Sequence, residues 1–400
     1  MSVDRTDPTP VPPLASSTGR QAKVQALPER VAAMQITGVT QYHLEHVLDE
    51  PFYPTWIPGY PQSTHELELF EVETDEGITG YGASPSFAGG LEYETPLELF
   101  LAGEDPHDVE GVLGKLETVN LVGPRPWHVE MALWDIIGKD AGKPVHELFG
   151  AEAREIPVYA STGELMDADE RIDYVEARVE EGFEAVKLRV TEVDHIETVR
   201  RVREAFPDLT LMVDANKGWA VRVAEEPVEW SYGDALEFAR GLEDVGGVEW
   251  LEEPLHRLDY AGYARLRDAV DVDIAGGEFN DGVHHFREFI EYGSLDVLQP
   301  DAALATGIRR AVDVARMGQA HGLRFVPHTW TNAVGFAANL HVMTAVGSPY
   351  CEYPMEPPWT PDVWSFMLED DFAHDEGTIR APDAPGLGID IPAPVLEPAE

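Results

Sequence analysis

Four hundred residues with 44% apolar side chains suffice for one large α/β domain and a smaller one. Against 28 basic residues stand 74 acidic ones, and the net charge of −46 repels nucleic acid and anionic membranes. One cysteine, Cys351, excludes an internal disulfide and a cysteine-based metal site; no run approaches the ~20 apolar residues of a membrane span, and a cytoplasmic location is the default. The acids are scattered along the chain, as in halophilic proteins, so each interior-facing cation gains weight.

The first 30 residues, with "MSVDRTDPTPVPPLASSTGR", are rich in Pro, Ser and Thr, lack the apolar core of a secretory signal, and read as a disordered arm. Residues 31–155 read as an α+β domain. "ITGVTQYHLEHVL" and "THELELFEVETDEGITGYG" alternate as strands, with "DEG" as a hairpin-like turn. Two segments, "PFYPTWIPGYPQS" and "ASPSFAGGLEYET", read as ordered loops. Residues 96–150 have helical spacing, including "WHVEMALWDIIGKDAGKPVHELFG".

From Ile156 to Glu352 short apolar runs alternate with amphipathic helix patterns, which reads as a parallel α/β sheet. About eight strands over roughly 200 residues favour a closed barrel, and no Gly-rich phosphate loop follows the first strand. Residues 353–400 read as a mostly loop-like segment packing back on the first domain.

One strand poses a question. "FEAVKLRV" puts Val186, Leu188 and Val190 on one face and Lys187 and Arg189 on the other. If both faces are buried, something anionic must meet the two cations. Functional groups of such barrels gather at the C-terminal strand ends. Those ends carry Lys187 and Arg189, Asp214 with Asn216, Glu252 and Glu253, Glu278, Asp301, His328 and Glu352. Three consecutive strands supply Asp214, Glu252 and Glu278. Converging carboxylates repel unless a cation sits among them, and all-oxygen ligation suits Mg²⁺. Any one of these acids alone reads equally well as a helix cap or a solvated loop acid.

In order and spacing, "AVKLRV", "LMVDAN", "WLEEP", "AGGE", "QPDA" and "VPHTW" resemble the enolase superfamily, most closely its mandelate racemase-like branch. The resemblance implies a (β/α)7β barrel, a modified TIM barrel, under an α+β capping domain. It implies Mg²⁺ on Asp214, Glu252 and Glu278, with Glu253 behind Glu252, and a homo-oligomer by analogy. Its chemistry is removal of the proton next to a carboxylate, so the partner is a small-molecule carboxylate that Lys187 and Arg189 would meet. A His–Asp dyad falls on His328 and Asp301. Glu352 matches the acid of the last strand, and both loops are expected to close over the substrate.

Asn216 and Trp330 are further substrate-binding candidates. Racemases of this branch carry a second lysine where this chain has Arg189, and arginine is a poor general base. The departure favours a one-base reaction: dehydration of a sugar acid to a 2-keto-3-deoxy acid, with His328 as base and then acid. A racemase, epimerase or lactone cycloisomerase using Lys187 is the alternative within the superfamily. A non-catalytic barrel used for binding or assembly is the alternative outside it, against which the complete ligand set argues. His65, His284, His285, His321 and His341 have no such context and read as structural or exposed.

Overall fold

The computed structural model describes residues 33–86, 94–122 and 125–396. The N-terminal arm and most of the "ASPSFAGGLEYET" loop fall outside them. The chain opens with an antiparallel meander, β1 (Ile36–Phe52), β2 (Gln62–Thr74) and β3 (Thr79–Pro85). Four helices follow: α1 (Glu94–Leu101), α2 (Val109–Val122), α3 (Trp127–Ala141) and α4 (Val145–Leu148). Ile36, Val39, Phe70 and Val72 from the sheet pack against Leu101, Leu116, Trp127 and Leu133, which closes a core of its own.

The expected loop at Pro51 begins later, because β1 runs on to Phe52. The ladder with β2 breaks between Val47 and Phe52 and resumes at Phe52 opposite Gln62. Phe52 is fully buried, with its ring stacked on Trp330 and Trp359, and this packing draws the strand past its alternating stretch.

Eight parallel strands follow: β4 (Glu155–Ser161), β5 (Ala185–Arg189), β6 (Thr210–Asp214), β7 (Val248–Glu252), β8 (Asp273–Gly276), β9 (Val297–Leu298), β10 (Arg324–Phe325) and β11 (Cys351–Pro354). They neighbour one another in chain order, with β11 returning beside β4. Seven helices intervene: α5 (Ala168–Glu180), α6 (Ile196–Ala205), α7 (Tyr232–Val245), α8 (Tyr260–Arg267), α9 (Gly282–Tyr292), α10 (Gly307–Ala320) and α11 (Ala333–Val346). This is the (β/α)7β order. Side chains bridge the seam between β10 and β11, where Ser348 Oγ donates to Phe325 O and Thr329 Oγ1 to Glu352 O.

Inside the barrel Tyr159, Ala185, Met212, Trp250, Ala275, Val297 and Val326 form one apolar layer, a residue from each of the first seven strands or its end. Side chains two residues apart point the same way. Two residues beyond that layer therefore stand Ser161, Lys187, Asp214, Glu252, Gln299 and His328. The fifth strand departs from the rule: Gly277 (φ +121°) turns the chain so that Glu278 takes the inward place. A Cβ at Gly277 would lie 2.7 Å from the Phe286 ring.

The segment after β11 contains α12 (Pro361–Trp364) and β12 (Thr378–Arg380), and β12 pairs antiparallel with β4. Further on, Gly386 N donates to Lys143 O, Gly386 O accepts from Val145 N, and Leu387 N donates to Asp135 Oδ1 at 2.9 Å. The tail thus ties α3 and α4 to the barrel.

Candidate active site

Every residue of β5 is buried, so its two cations lie inside the molecule. In this structure the anions that meet them are the barrel's own acids. Lys187 Nζ lies 2.6 Å from Glu352 Oε1, 2.9 Å from Glu252 Oε1 and 3.6 Å from Asp214 Oδ2. Arg189 donates to Asp214, to Asn216 Oδ1 at 3.0 Å and to the Thr162 carbonyl. Its guanidinium sits 5.4 Å from the Trp56 ring and 5.8 Å from the Trp330 ring.

Asp214, Glu252 and Glu278 are buried, and each offers an oxygen within 4.8 Å of the others'. Burial raises the Asp214 and Glu278 carboxyls, and each is raised further by the neighbouring acids. At Glu252 burial is outweighed by Lys187, Arg189 and the Gln299 hydrogen bond together, and the carboxyl is lowered. Glu253 turns away with a left-handed backbone (φ 45°). Both its oxygens are buried without a hydrogen-bond partner among the described residues, and burial, with Glu278 beside it, pushes the carboxyl well above the usual range. Oxygen donors that repel one another, with no cysteine and no pair of histidines among them, fit a hard divalent cation.

Across the mouth His328 Nδ1 donates to Asp301 Oδ2 at 2.9 Å, and Nε2 faces Glu278 Oε2 at 3.4 Å. An acceptor on Nδ1 fixes the tautomer that leaves the Nε2 lone pair free when the ring is neutral. Burial opposes a charge on this ring, but Glu278, Glu352 and Asp301 outweigh it and raise the pKa to about 9. Asp301 is fixed in turn: its Oδ1 accepts from Ala303 N at 2.6 Å and from Asn339 Nδ2 at 3.1 Å.

Glu352 accepts from Ser161 Oγ and Thr329 N, both at 2.8 Å. Burial is outweighed at this carboxyl by Lys187, His328 and Arg189, which bring it down to about 2. Trp330 donates its indole N–H to Ser161 Oγ at 2.8 Å, and Asn216, with a left-handed backbone, accepts from Thr55 Oγ1 at 2.6 Å. Through Thr55 and Trp56 the first loop reaches over the barrel mouth. Cys351 packs in the core between strands and helices, away from the site. His65 is buried against Trp359 and Phe366, and burial lowers it to about 3; His341 stacks on His146.

All ten site candidates from the sequence therefore gather around one mouth. Sequence reading missed Gln299, whose Nε2 donates to Glu252 Oε2 at 2.9 Å, together with Ser161 and Asn339. The two-residue step above the apolar layer would have found Gln299 and Ser161. For Asn339, buried on a helix outside the strands, there was no comparable signal.

An eight-stranded barrel with three carboxylates and a His–Asp pair at its mouth, roofed by a sheet-and-helix domain, defines a class of metal-assisted enzymes acting on carbon acids. Residues 49–150 match the mandelate racemase/muconate lactonizing enzyme N-terminal domain, and residues 170–395 match the enolase C-terminal domain-like family. The chain is 32% identical to D-galactarolactone cycloisomerase of Agrobacterium fabrum over 90% of its length and 97% of the relative's. It is 29% identical to arabinonate dehydratase of Saccharolobus solfataricus, covering 85% of this chain and 92% of that one. A solved enolase-superfamily member from Polaromonas sp. JS666 superposes with a TM-score of 0.79 at 26% identity, over 92% of this chain and 98% of that one. The chain belongs to the enolase superfamily, in its mandelate racemase/muconate lactonizing enzyme branch.

Proposed function

We propose that the protein is a Mg²⁺-dependent dehydratase of a sugar acid. It takes the proton from the carbon next to the carboxylate and releases the β-hydroxyl as water. The α C–H and β C–O bonds break, an enol forms, and its tautomerisation gives a 2-keto-3-deoxy acid. One observation carries the reading: a buried carboxylate triad and an Asp-held imidazole face each other across one mouth.

Asp214, Glu252 and Glu278 would hold Mg²⁺, which supplies the positive charge that makes the α-carbon acidic. Lys187 and Arg189 place two further positive charges beside the developing anion. His328 Nε2 receives the α-proton and passes it to the departing hydroxyl, while Asp301 keeps the ring in the required tautomer. Neutralising Glu278 removes the largest influence raising the His328 pKa, which brings the ring towards its ordinary range and frees it as a base. Trp330 and Asn216 shape the substrate side, and Glu352 holds Lys187.

A second reading, lactone cycloisomerisation, is favoured by the 32% identity to a protein of that name. Lys187 does not suit the second base of a racemase or epimerase, since two carboxylates hold its ammonium at 2.6 and 2.9 Å. Incubation with Mg²⁺ and a panel of sugar acids in deuterated water separates the readings. A 2-keto-3-deoxy product supports dehydration. Deuterium at the α-carbon without loss of water overturns it in favour of isomerisation.

A further inference from the structure

The cavity above the strand ends, about 500 Å³, has a second cation on its wall. Arg125 comes from the capping domain, just ahead of α3. Its Nη1 donates to Phe279 O at 3.1 Å and Leu304 O at 3.0 Å. These carbonyls follow the fifth and sixth barrel strands, whereas Arg189 stands on the second, so the two guanidinium groups lie on opposite sides of the ring. Arg189 is spent on Asp214, Asn216 and Thr162. Among the described residues Nε and Nη2 of Arg125 have no hydrogen-bond partner.

The same wall holds two more unsatisfied groups that line the cavity. His128 is 2% exposed and, among the described residues, neither ring nitrogen makes a well-formed hydrogen bond, although the Arg125 backbone lies close enough to favour its charged form. Ser86 Oγ is likewise buried and unpartnered among the described residues. Polar groups buried without a partner beside a cavity cost stability unless a ligand satisfies them. Glu68, the acid on this wall, already accepts from His43 Nδ1 and Gln41 Nε2, both at 2.8 Å.

We propose that the substrate is an aldaric acid, a sugar acid with a carboxylate at each end, and that Arg125 receives the distal carboxylate while His128 and Ser86 bond to it or to its neighbouring hydroxyl. The inference rests on the proposed sugar-acid chemistry but is tested without turnover. The Mg²⁺-loaded protein is titrated calorimetrically with matched pairs, galactarate against galactonate and glucarate against gluconate. At least one aldarate is expected to bind roughly 10- to 100-fold tighter than its aldonate. Arg125→Gln should erase most of that preference and leave aldonate affinity unchanged, while Arg125→Lys keeps part of it.

Equal affinity within every pair, no saturable aldarate binding, or equal weakening of both ligands by Arg125→Gln overturns the proposal; the last would leave Arg125 as a brace between cap and barrel. If Arg125→Gln does not fold, Arg125→Lys makes the same comparison and must narrow the aldarate preference. Dehydration of an aldonate with no aldarate preference would defeat this inference and leave the proposed reaction standing.

Discussion

Replacing Glu130 with glutamine should stabilise the protein increasingly as pH rises from 4.5 to about 7, and by a constant amount above that. Glu130 lies on α3, fully buried where the capping domain meets the barrel. Its Oε1 accepts from Trp134 Nε1 and Arg309 N, both at 2.9 Å. Oε2 has no hydrogen-bond partner among the described residues and faces Gly307 (φ +73°), where a Cβ would fall 1.6 Å away. Burial raises the carboxyl from 4.5 to about 7 against these two bonds. The folded chain thus binds this proton more tightly than the unfolded one, so its contribution is complete below pH 4.5 and is lost as pH rises through 7. At 1.36 kcal/mol for each unit, the folded state gives up on the order of 3 kcal/mol by pH 8.5. Glutamine keeps the acceptor and the shape of the protonated acid, and it does not ionise. Urea unfolding followed by tryptophan fluorescence should show the variant ahead by about 3 kcal/mol at pH 8.5 and level with the parent at pH 4.5. A difference that stays constant with pH, or a parent that is the more stable at pH 8.5, refutes the reasoning.

His328→Asn should abolish turnover while calorimetric Mg²⁺ affinity stays near the parent value; surviving turnover would move the base elsewhere. Glu278→Gln should weaken Mg²⁺ binding by about 100-fold or more, since it removes one of three charged ligands, and unchanged affinity would break the triad assignment. Asn339→Leu removes the bonds to Asp301 Oδ1 and Ala302 N and should cost about 1–3 kcal/mol of stability. The same change should lower kcat more than it raises KM, and equal losses in both would make Asn339 a packing residue only. Chelation should stop turnover, and Mg²⁺ added back should restore it.

The strand ends were legible because a buried parallel strand leaves few reasons for a charge. Asp214, Glu252 and Glu278 recur one strand–helix unit apart, and the structure brings them within reach of one ion. Asp301 and His328 were legible for the same reason. The groups on the capping side were not. Arg125 and His128 sit at the start of α3, a helix buried from Trp127 to Gly138, and only its docking against the segments that follow β8 and β9 brings them to the cavity. The reach of β1 to Phe52 was hidden as well, because it depends on aromatic partners more than 250 residues away. The pairing of Lys187 and Arg189 with the barrel's own acids could be framed as a question, but its answer needed the register of adjacent strands.

The stacking inside the barrel separates two tasks along each strand. Tyr159, Met212 and Trp250 make an apolar floor, and the residue two places on faces the mouth. A tightly packed floor yields little, so it sets the height of every reactive group above it. Substitutions in the upper tier can then exchange one carbon-acid reaction for another without rebuilding the foundation, whereas a smaller side chain below would let Lys187, Asp214 and Glu252 sink together and spoil their alignment with His328.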